Sequence, residues 1–298
     1  MHNKAKACVK VGCLVLCFAS SFSLNAKALR SPVQTGDHII VAKGDIPTPP
    51  KYHSATQAAI ANTTDTIERL LSQLNHIKVA LAANDWSQAQ ESYIRAHQDY
   101  EQVRPIIHLF GKTDRVINAR ADDFPQGVSD YRFKGFHLVE YHLFKTNDKS
   151  AAISAVDELI MYTQDLKQRV EQEHIAIPKL VQSSADFIEM IIEVKLAGKE
   201  NQYSHSDIAD MAANMAGSQQ VIDEITAFIP PQTLTPILTN YQHIDALIAQ
   251  YATPSGGYLP YDALTQHDKQ KLYSLLSDQA FMLATLRATL DVDVYYTF

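Results

Sequence analysis

Cysteine is scarce in this chain, and its three copies lie close to the start. Cys8, Cys13 and Cys17 fall within the first 28 residues, which we interpret below as a signal peptide that is removed. The rest of the chain therefore has no thiol for a disulfide or a thiolate metal site. Any metal ligands must be nitrogen or oxygen atoms, and stability must come from side-chain packing.

Basic residues and long apolar runs are also scarce after residue 28. That part of the chain has 33 acidic against 22 basic residues, a formal charge of −11. The excess of acid disfavours nucleic acid or an anionic membrane surface as partner and is compatible with cations. Because no second apolar run reaches membrane length, we expect no membrane insertion of the mature chain.

The N-terminus has the features of a signal peptide. Three lysines within the first ten residues precede an apolar stretch at 11–24, which is too short to span a bilayer. Ala26 and Ala28 then form a small-x-small pattern, which predicts cleavage after Ala28 and export to the periplasm. Lipid attachment at Cys17 is the alternative, but the bulky Leu16 before it disfavours that reading.

The remaining sequence predicts an all-α protein. Ten glycines and twelve prolines in the whole chain cluster between periodic segments, which favours long helices with short connectors. We expect a signal peptide at 1–28, a flexible leader at 29–53, a first helical bundle at 54–177 and a second at 178–298. The predicted fold is two tandem four-helix bundles.

The clearest helix covers residues 86–107, where apolar residues recur at steps of three and four. Asp85 or Asn84 is its expected cap, and Pro105 is expected to bend it. Residues 111–134 are expected to form a long irregular connection that covers a site. The other helices are expected at about residues 67–81, 135–145, 151–174, 178–197, 206–228, 233–251 and 262–289.

His137 and Glu140 are the first candidate site residues. Positions i and i+3 share a helix face, so this pair can offer a nitrogen and a carboxylate oxygen to iron, copper or zinc. A hydrogen-bonded pair on the helix face is the competing interpretation. Spacing alone leaves both open.

A second group of charged residues surrounds Glu101 and Arg104. With Asn118, Arg120, Asp122 and Asp123, they are compatible with an ion pair followed by a solvated acidic turn. Other histidines have no recognisable ligand partner in sequence: His97, His108, His142, His205, His243 and His267. The chain also lacks a phosphate-binding glycine loop, a nucleophile elbow and a His-Glu-x-x-His motif, so an ordinary hydrolase has little support.

Together these segments resemble the EfeO and imelysin-like periplasmic proteins. The mark of that family is a Gly-x-His-x-x-Glu helix, here Gly135, His137 and Glu140. The resemblance covers roughly residues 55–290 and corresponds to a short form without the cupredoxin-like domain. Further matching residues are Tyr100-Glu101, Pro105, Ala119-Arg120, Asp122-Asp123-Phe124 and the run from Glu200 to Asp207.

The resemblance implies a periplasmic component of a ferrous-iron uptake system, with an inner-membrane permease and a periplasmic haem peroxidase as partners. It also implies a metal site at the His-x-x-Glu pair and a second at four carboxylate positions. In this chain those four positions are Glu101, Arg104, Asn118 and Glu200. The family typically has Glu and Asp at the second and third, so we expect this site to be degenerate, with Arg104 in the place of the cation.

Three functions follow as expectations. The first is non-enzymatic metal binding, with iron ahead of copper or zinc, through His137 and Glu140, with Glu101 and Glu200 as further acidic positions. Asp122 or Asp123 would lie nearby. The second is capture of an anionic saccharide by Arg104 and Arg120 in a cleft between the bundles. The third, metallopeptidase activity, is disfavoured because no general base is recognisable beside the histidine.

Overall fold

The computed structural model describes residues 49–290 of the chain, and within this range it contains no β-strand. The prediction of an all-α fold is therefore confirmed. The predicted signal peptide, most of the predicted leader and the three cysteines lie outside the described residues. The helices are α1 (His53–Ala82), α2 (Trp86–Ile107), α3 (Lys112–Asn118), α4 (Phe136–Glu140), α5 (Lys149–Gln172), α6 (Ile177–Met190), α7 (Asp207–Ile225), α8 (Pro231–Ile248), α9 (Gln266–Ala284) and α10 (Leu286–Thr289).

Helix α2 supplies much of the site and forms as its sequence pattern predicts. The Asp85 carboxylate caps its N-terminus by accepting a hydrogen bond from the backbone of Gln88, at 3.0 Å. The apolar residues at steps of three and four are buried, except Trp86, which is half-buried. Pro105 lies within the last turn, and the helix ends two residues later at Ile107.

The buried apolar residues form two clusters. The first packs α1, α2 and α5 together, with Phe136 and Val139 of α4 against them. The second is built by α6 to α9, and it also takes in Tyr52, which directly precedes α1, and Ala55 from the first turn of α1. The proposed division of the chain at residue 178 stays a prediction.

The connection at 111–134 is more regular than predicted. Helix α3 and two 3-10 turns, Ala121–Asp123 and Gly127–Ser129, lie within it. The prediction missed α3 because five of its seven residues are polar or charged, whereas its buried anchor is the single side chain of Ile117 in the first cluster. This short helix places Asn118 at the site.

Two helices continue into wider π-helical turns. Tyr141–Thr146 follows α4, and Ile191–Lys195 follows α6. Turns of this kind are frequent at functional sites. Within residues 49–290, no helix is both long enough and apolar enough to cross a membrane.

Candidate functional site: a buried histidine and carboxylate centre

The four positions predicted as a degenerate carboxylate site come together in the structure. Arg104 donates from Nη1 to Glu101 Oε1 at 3.0 Å and to Glu200 Oε1 at 2.9 Å. Asn118 donates from Nδ2 to the same two oxygens, at 3.3 and 2.7 Å. The guanidinium therefore bridges two carboxylates that are 98% or more buried.

Sequence reasoning missed a second cation in this centre. Lys195, at the end of the π-helical turn after α6, is fully buried. Its Nζ lies 3.2 Å from Glu101 Oε2, 2.8 Å from Glu200 Oε2 and 3.0 Å from Asp210 Oδ2. The available signal was a lysine at the position where the apolar stripe of α6 continues, four residues after the buried Ile191.

The neighbouring charges keep these groups ionised in spite of burial. Burial lowers the pKa of Lys195, but the charges of Asp210, Glu101 and Glu200 outweigh it and raise that pKa above its ordinary value. Burial raises the pKa of Glu200, but Lys195 and Arg104 bring it well below its usual range. Burial raises the pKa of Asp114, but Arg104 at 3.3 Å and the hydrogen bonds of His108 and Tyr100 together lower it to about 2.

His97 lies in the same centre, with a polar partner 3.0 Å from each ring nitrogen. The amide nitrogen of Asn118 faces two carboxylates, so its oxygen must face His97, whose Nε2 lies 3.0 Å away and must donate. The other ring nitrogen faces Asp210 Oδ2 at 3.0 Å. Burial lowers the pKa of His97, but Asp210 and Glu101 together raise it by more. His97 lies against two of the carboxylates that Lys195 also contacts, Asp210 at 3.0 Å and Glu101 at 3.5 Å.

The His-x-x-Glu pair lies beside this centre, with its two side chains facing each other. His137 Nδ1 is 3.0 Å from Glu140 Oε2. Glu140 Oε1 accepts from the backbone N–H of Tyr203 and from both the N–H and the hydroxyl of Ser204, at 2.8–3.0 Å. Burial raises the pKa of Glu140, but these hydrogen bonds lower it by more. Both carboxylate oxygens are thus engaged within the chain.

This arrangement points the other nitrogen of His137 into the centre. Nε2 is buried and has no hydrogen-bond partner, and Glu200 Oε1 is 3.9 Å from it. Burial lowers the pKa of His137, but Glu140 and Glu200 raise it to about 9. His97, His137 and Glu200 offer nitrogen and oxygen atoms that lie within 4.8 Å of one another.

The structure explains why the motif has glycine at position 135. Its φ of +79° and ψ of −152° are accessible to glycine and rarely to other residues. A Cβ added here would lie 2.0 Å from the carbonyl oxygen of Ile117. The glycine therefore lets α4, which carries His137, approach the end of α3, which carries Asn118.

The other predicted neighbours lie on the surface. Asp123 accepts hydrogen bonds from the backbone and guanidinium of Arg120, and Asp122 accepts one from Gln202, at 2.8 Å. A surface cavity of about 560 Å³ opens beside Arg120 and reaches Glu200. Its charged and ionisable lining comprises Arg104, His108, Lys112, Asp114, Arg115, Arg120, Asp123 and Glu200.

The fold and the site define an all-helical protein with a buried histidine and carboxylate centre built around a Gly-x-His-x-x-Glu helix. The chain belongs to the imelysin family, peptidase family M75, which it matches over residues 50–284. It is 31% identical to the iron uptake system component EfeM of Pseudomonas syringae pv. syringae over 233 residues, which is 77% of this chain and 82% of that protein.

Two other similarities differ in extent. The chain is 33% identical to the iron uptake system component EfeO of Escherichia coli K12 over 217 residues, 72% of this chain but 58% of that protein. It thus spans little more than half of EfeO. A crystallised protein of Parabacteroides distasonis, assigned as an iron-regulated protein A precursor, shares the fold with a TM-score of 0.55 and 12% identity, over 84% of this chain and all of that one.

Proposed function

We propose that this chain is a periplasmic metal-binding component of an iron uptake system and that His137 Nε2 is its metal-facing atom. The observation that carries the proposal is a buried imidazole nitrogen without a hydrogen-bond partner, 3.9 Å from a carboxylate. Glu140 holds the other nitrogen, as outer carboxylates commonly do for metal-binding histidines. Glu200 is the nearest oxygen ligand.

In this proposal Glu140 orients the histidine instead of contacting the metal. Its oxygens already receive four hydrogen-bond contacts, from His137, Tyr203 and Ser204. A ligand role for Glu140 itself, as predicted from the spacing, requires those contacts to break. Ferrous iron, copper and zinc all accept imidazole nitrogen together with carboxylate oxygen, with iron favoured by the names of the relatives.

Metal titration of the purified protein tests this function. We expect wild type to bind ferrous iron under anaerobic conditions, or zinc as a stable substitute, and His137→Ala to lose most of that binding. His142→Ala is the matched control, because its imidazole lies on the same segment and faces Thr146. Equal metal binding by His137→Ala and wild type would exclude this site.

Delivery of the metal to an inner-membrane permease, together with a haem peroxidase, completes the proposed role. The EfeO and EfeM relatives are named as iron uptake system components, and neither name denotes an enzyme. Uptake of radioactive iron by cells that lack the gene is the test. We expect reduced uptake, restored by wild type and not by His137→Ala.

A second candidate function is capture of an anionic saccharide in the surface cavity. Arg104 is already engaged by three carboxylates, from Glu101, Asp114 and Glu200. Lys112 and Arg115 line the same cavity and are exposed, so their charges are available to an anion. Titration with a uronate oligosaccharide should then depend on these two side chains. Unchanged affinity in the double variant Lys112→Ala with Arg115→Ala would exclude it.

A further inference from the structure

The ammonium group of Lys195 has the surroundings of a bound cation. Three carboxylates, from Glu101, Glu200 and Asp210, lie within 3.2 Å of Nζ. The ammonium donates a hydrogen bond to Asp210 Oδ2 at 3.0 Å and forms ion pairs with Glu101 and Glu200. Two amides donate hydrogen bonds to these carboxylates: Asn201 to Asp210 Oδ2, and Asn214 to Glu101 Oε2. All five of these acids and amides are 98% or more buried.

This set of groups is also what a hard divalent cation requires. Calcium, magnesium and manganese prefer carboxylate and amide oxygens at about 2.0–2.6 Å. The three oxygens nearest Nζ would each need to move inward by at most about 1.2 Å to reach such distances. Asn201 Oδ1, Asn214 Oδ1 and Asp210 Oδ1 are buried without hydrogen-bond partners and could be recruited.

We propose that Lys195 is a built-in cation that occupies the position between Glu101, Glu200 and Asp210, so that this position takes no metal in the native protein and becomes a divalent-cation site when the ammonium is removed. Arg104 alone cannot fill this position, because its Nη1 contacts Oε1 of Glu200, whereas Lys195 contacts Oε2 of the same carboxylate. Removal of the ammonium would take away the one positive charge that contacts Glu101, Glu200 and Asp210 together, which favours the binding of another cation there.

Manganese stoichiometry in the His137→Ala background tests this inference. We expect His137→Ala to bind no manganese, and the double variant with Lys195→Ala to bind one ion per chain. Adding Glu101→Gln to the double variant should abolish the binding of that manganese ion. Lys199→Ala is the matched control, because it removes an exposed lysine four residues later and should create no site.

Thermal unfolding gives a second readout. Manganese at a hundredfold excess over its Kd should raise the Tm of the double variant by about 5–10 °C and leave the Lys199 control unchanged. A double variant that is unfolded at rest should regain its helical circular dichroism on addition of manganese. The inference would be overturned if the double variant failed to bind manganese or failed to refold with it. It would also be overturned if the single variant His137→Ala bound manganese at Glu101.

The outcome is separable from that of the proposed metal site at His137. All arms of the stoichiometry test lack that histidine, so a new site in the double variant depends only on the carboxylates around residue 195. Conversely, a loss of metal from His137→Ala says nothing about Lys195. Wild type and Glu101→Gln should bind equal amounts of manganese, and a smaller amount in Glu101→Gln would show that the native centre does hold an ion.

Discussion

Gly135→Ala is the substitution in which the structure predicts the largest loss of stability for one added methyl group. Glycine here combines a φ of +79° with a carbonyl oxygen 2.0 Å from the position of a Cβ. The backbone conformation costs a non-glycine residue about 1–3 kcal/mol. Relieving the overlap with Ile117 requires α3 and α4 to separate, at about 1–3 kcal/mol more.

Two other glycines separate these contributions. Gly256 also has a positive φ, +85°, but no atom lies within 4 Å of an added Cβ, so Gly256→Ala should show the conformational cost alone. Gly217, inside α7, would place its Cβ 1.9 Å from the carbonyl oxygen of Gln102 in α2, without a positive φ. Gly217→Ala should therefore show the overlap alone.

Thermal unfolding followed by circular dichroism is the assay. For a chain of this size, each kcal/mol shifts Tm by about 2–4 °C, so Gly135→Ala should lower Tm by about 4–24 °C. Its loss should exceed that of Gly256→Ala. A Tm of Gly135→Ala equal to or above that of Gly256→Ala would refute the assigned overlap between the motif glycine and Ile117.

Three further predictions concern pH, metal affinity and export. Burial raises the pKa of Asp207 to about 7, above an unfolded value of about 3.9; the folded state therefore binds more protons between pH 4 and 7 and loses stability as pH rises through that window. Because Asp207→Asn lacks this loss, its free energy of unfolding relative to wild type should rise by up to about 4 kcal/mol from pH 4 to pH 8, measured by urea unfolding. An equal difference between variant and wild type at the two pH values would contradict the assigned pKa. Glu140→Gln should weaken zinc binding about 10–100-fold in calorimetry, since the amide holds His137 less firmly, and unchanged affinity would remove its orienting role. Mass spectrometry of the exported protein should find Leu29 as the first residue; an acylated Cys17 would show the alternative processing.

The sequence was most informative for features that depend on residues close by in the chain. The helical periodicity of residues 86–107 and the cap at Asp85 could both be predicted, because each depends on neighbours within one or two turns. The convergence of Glu101, Arg104, Asn118 and Glu200 became predictable only through the family resemblance, since α3 and the segment after α6 bring those residues together across the chain.

Lys195 and His97 could not be assigned from sequence for a physical reason. A lysine near a helix end is usually solvated, and its burial here depends on three carboxylates that lie elsewhere in the chain. Likewise, His97 stands four residues before Glu101, a spacing common on helix surfaces. Its role as a hydrogen-bond donor to Asn118 follows from the orientation of that amide, and that orientation requires the assembled site.

The ionic centre has a consequence for how the molecule unfolds. Glu101 comes from α2, whose apolar stripe lies in the first cluster, whereas Lys195 and Asp210 come from segments packed in the second. Opening either core alone would strip buried charges of their partners, at about 3–5 kcal/mol for each broken pair. Species in which only one core is folded are thereby disfavoured. The two apolar clusters should therefore unfold as one cooperative unit, because buried ion pairs join them.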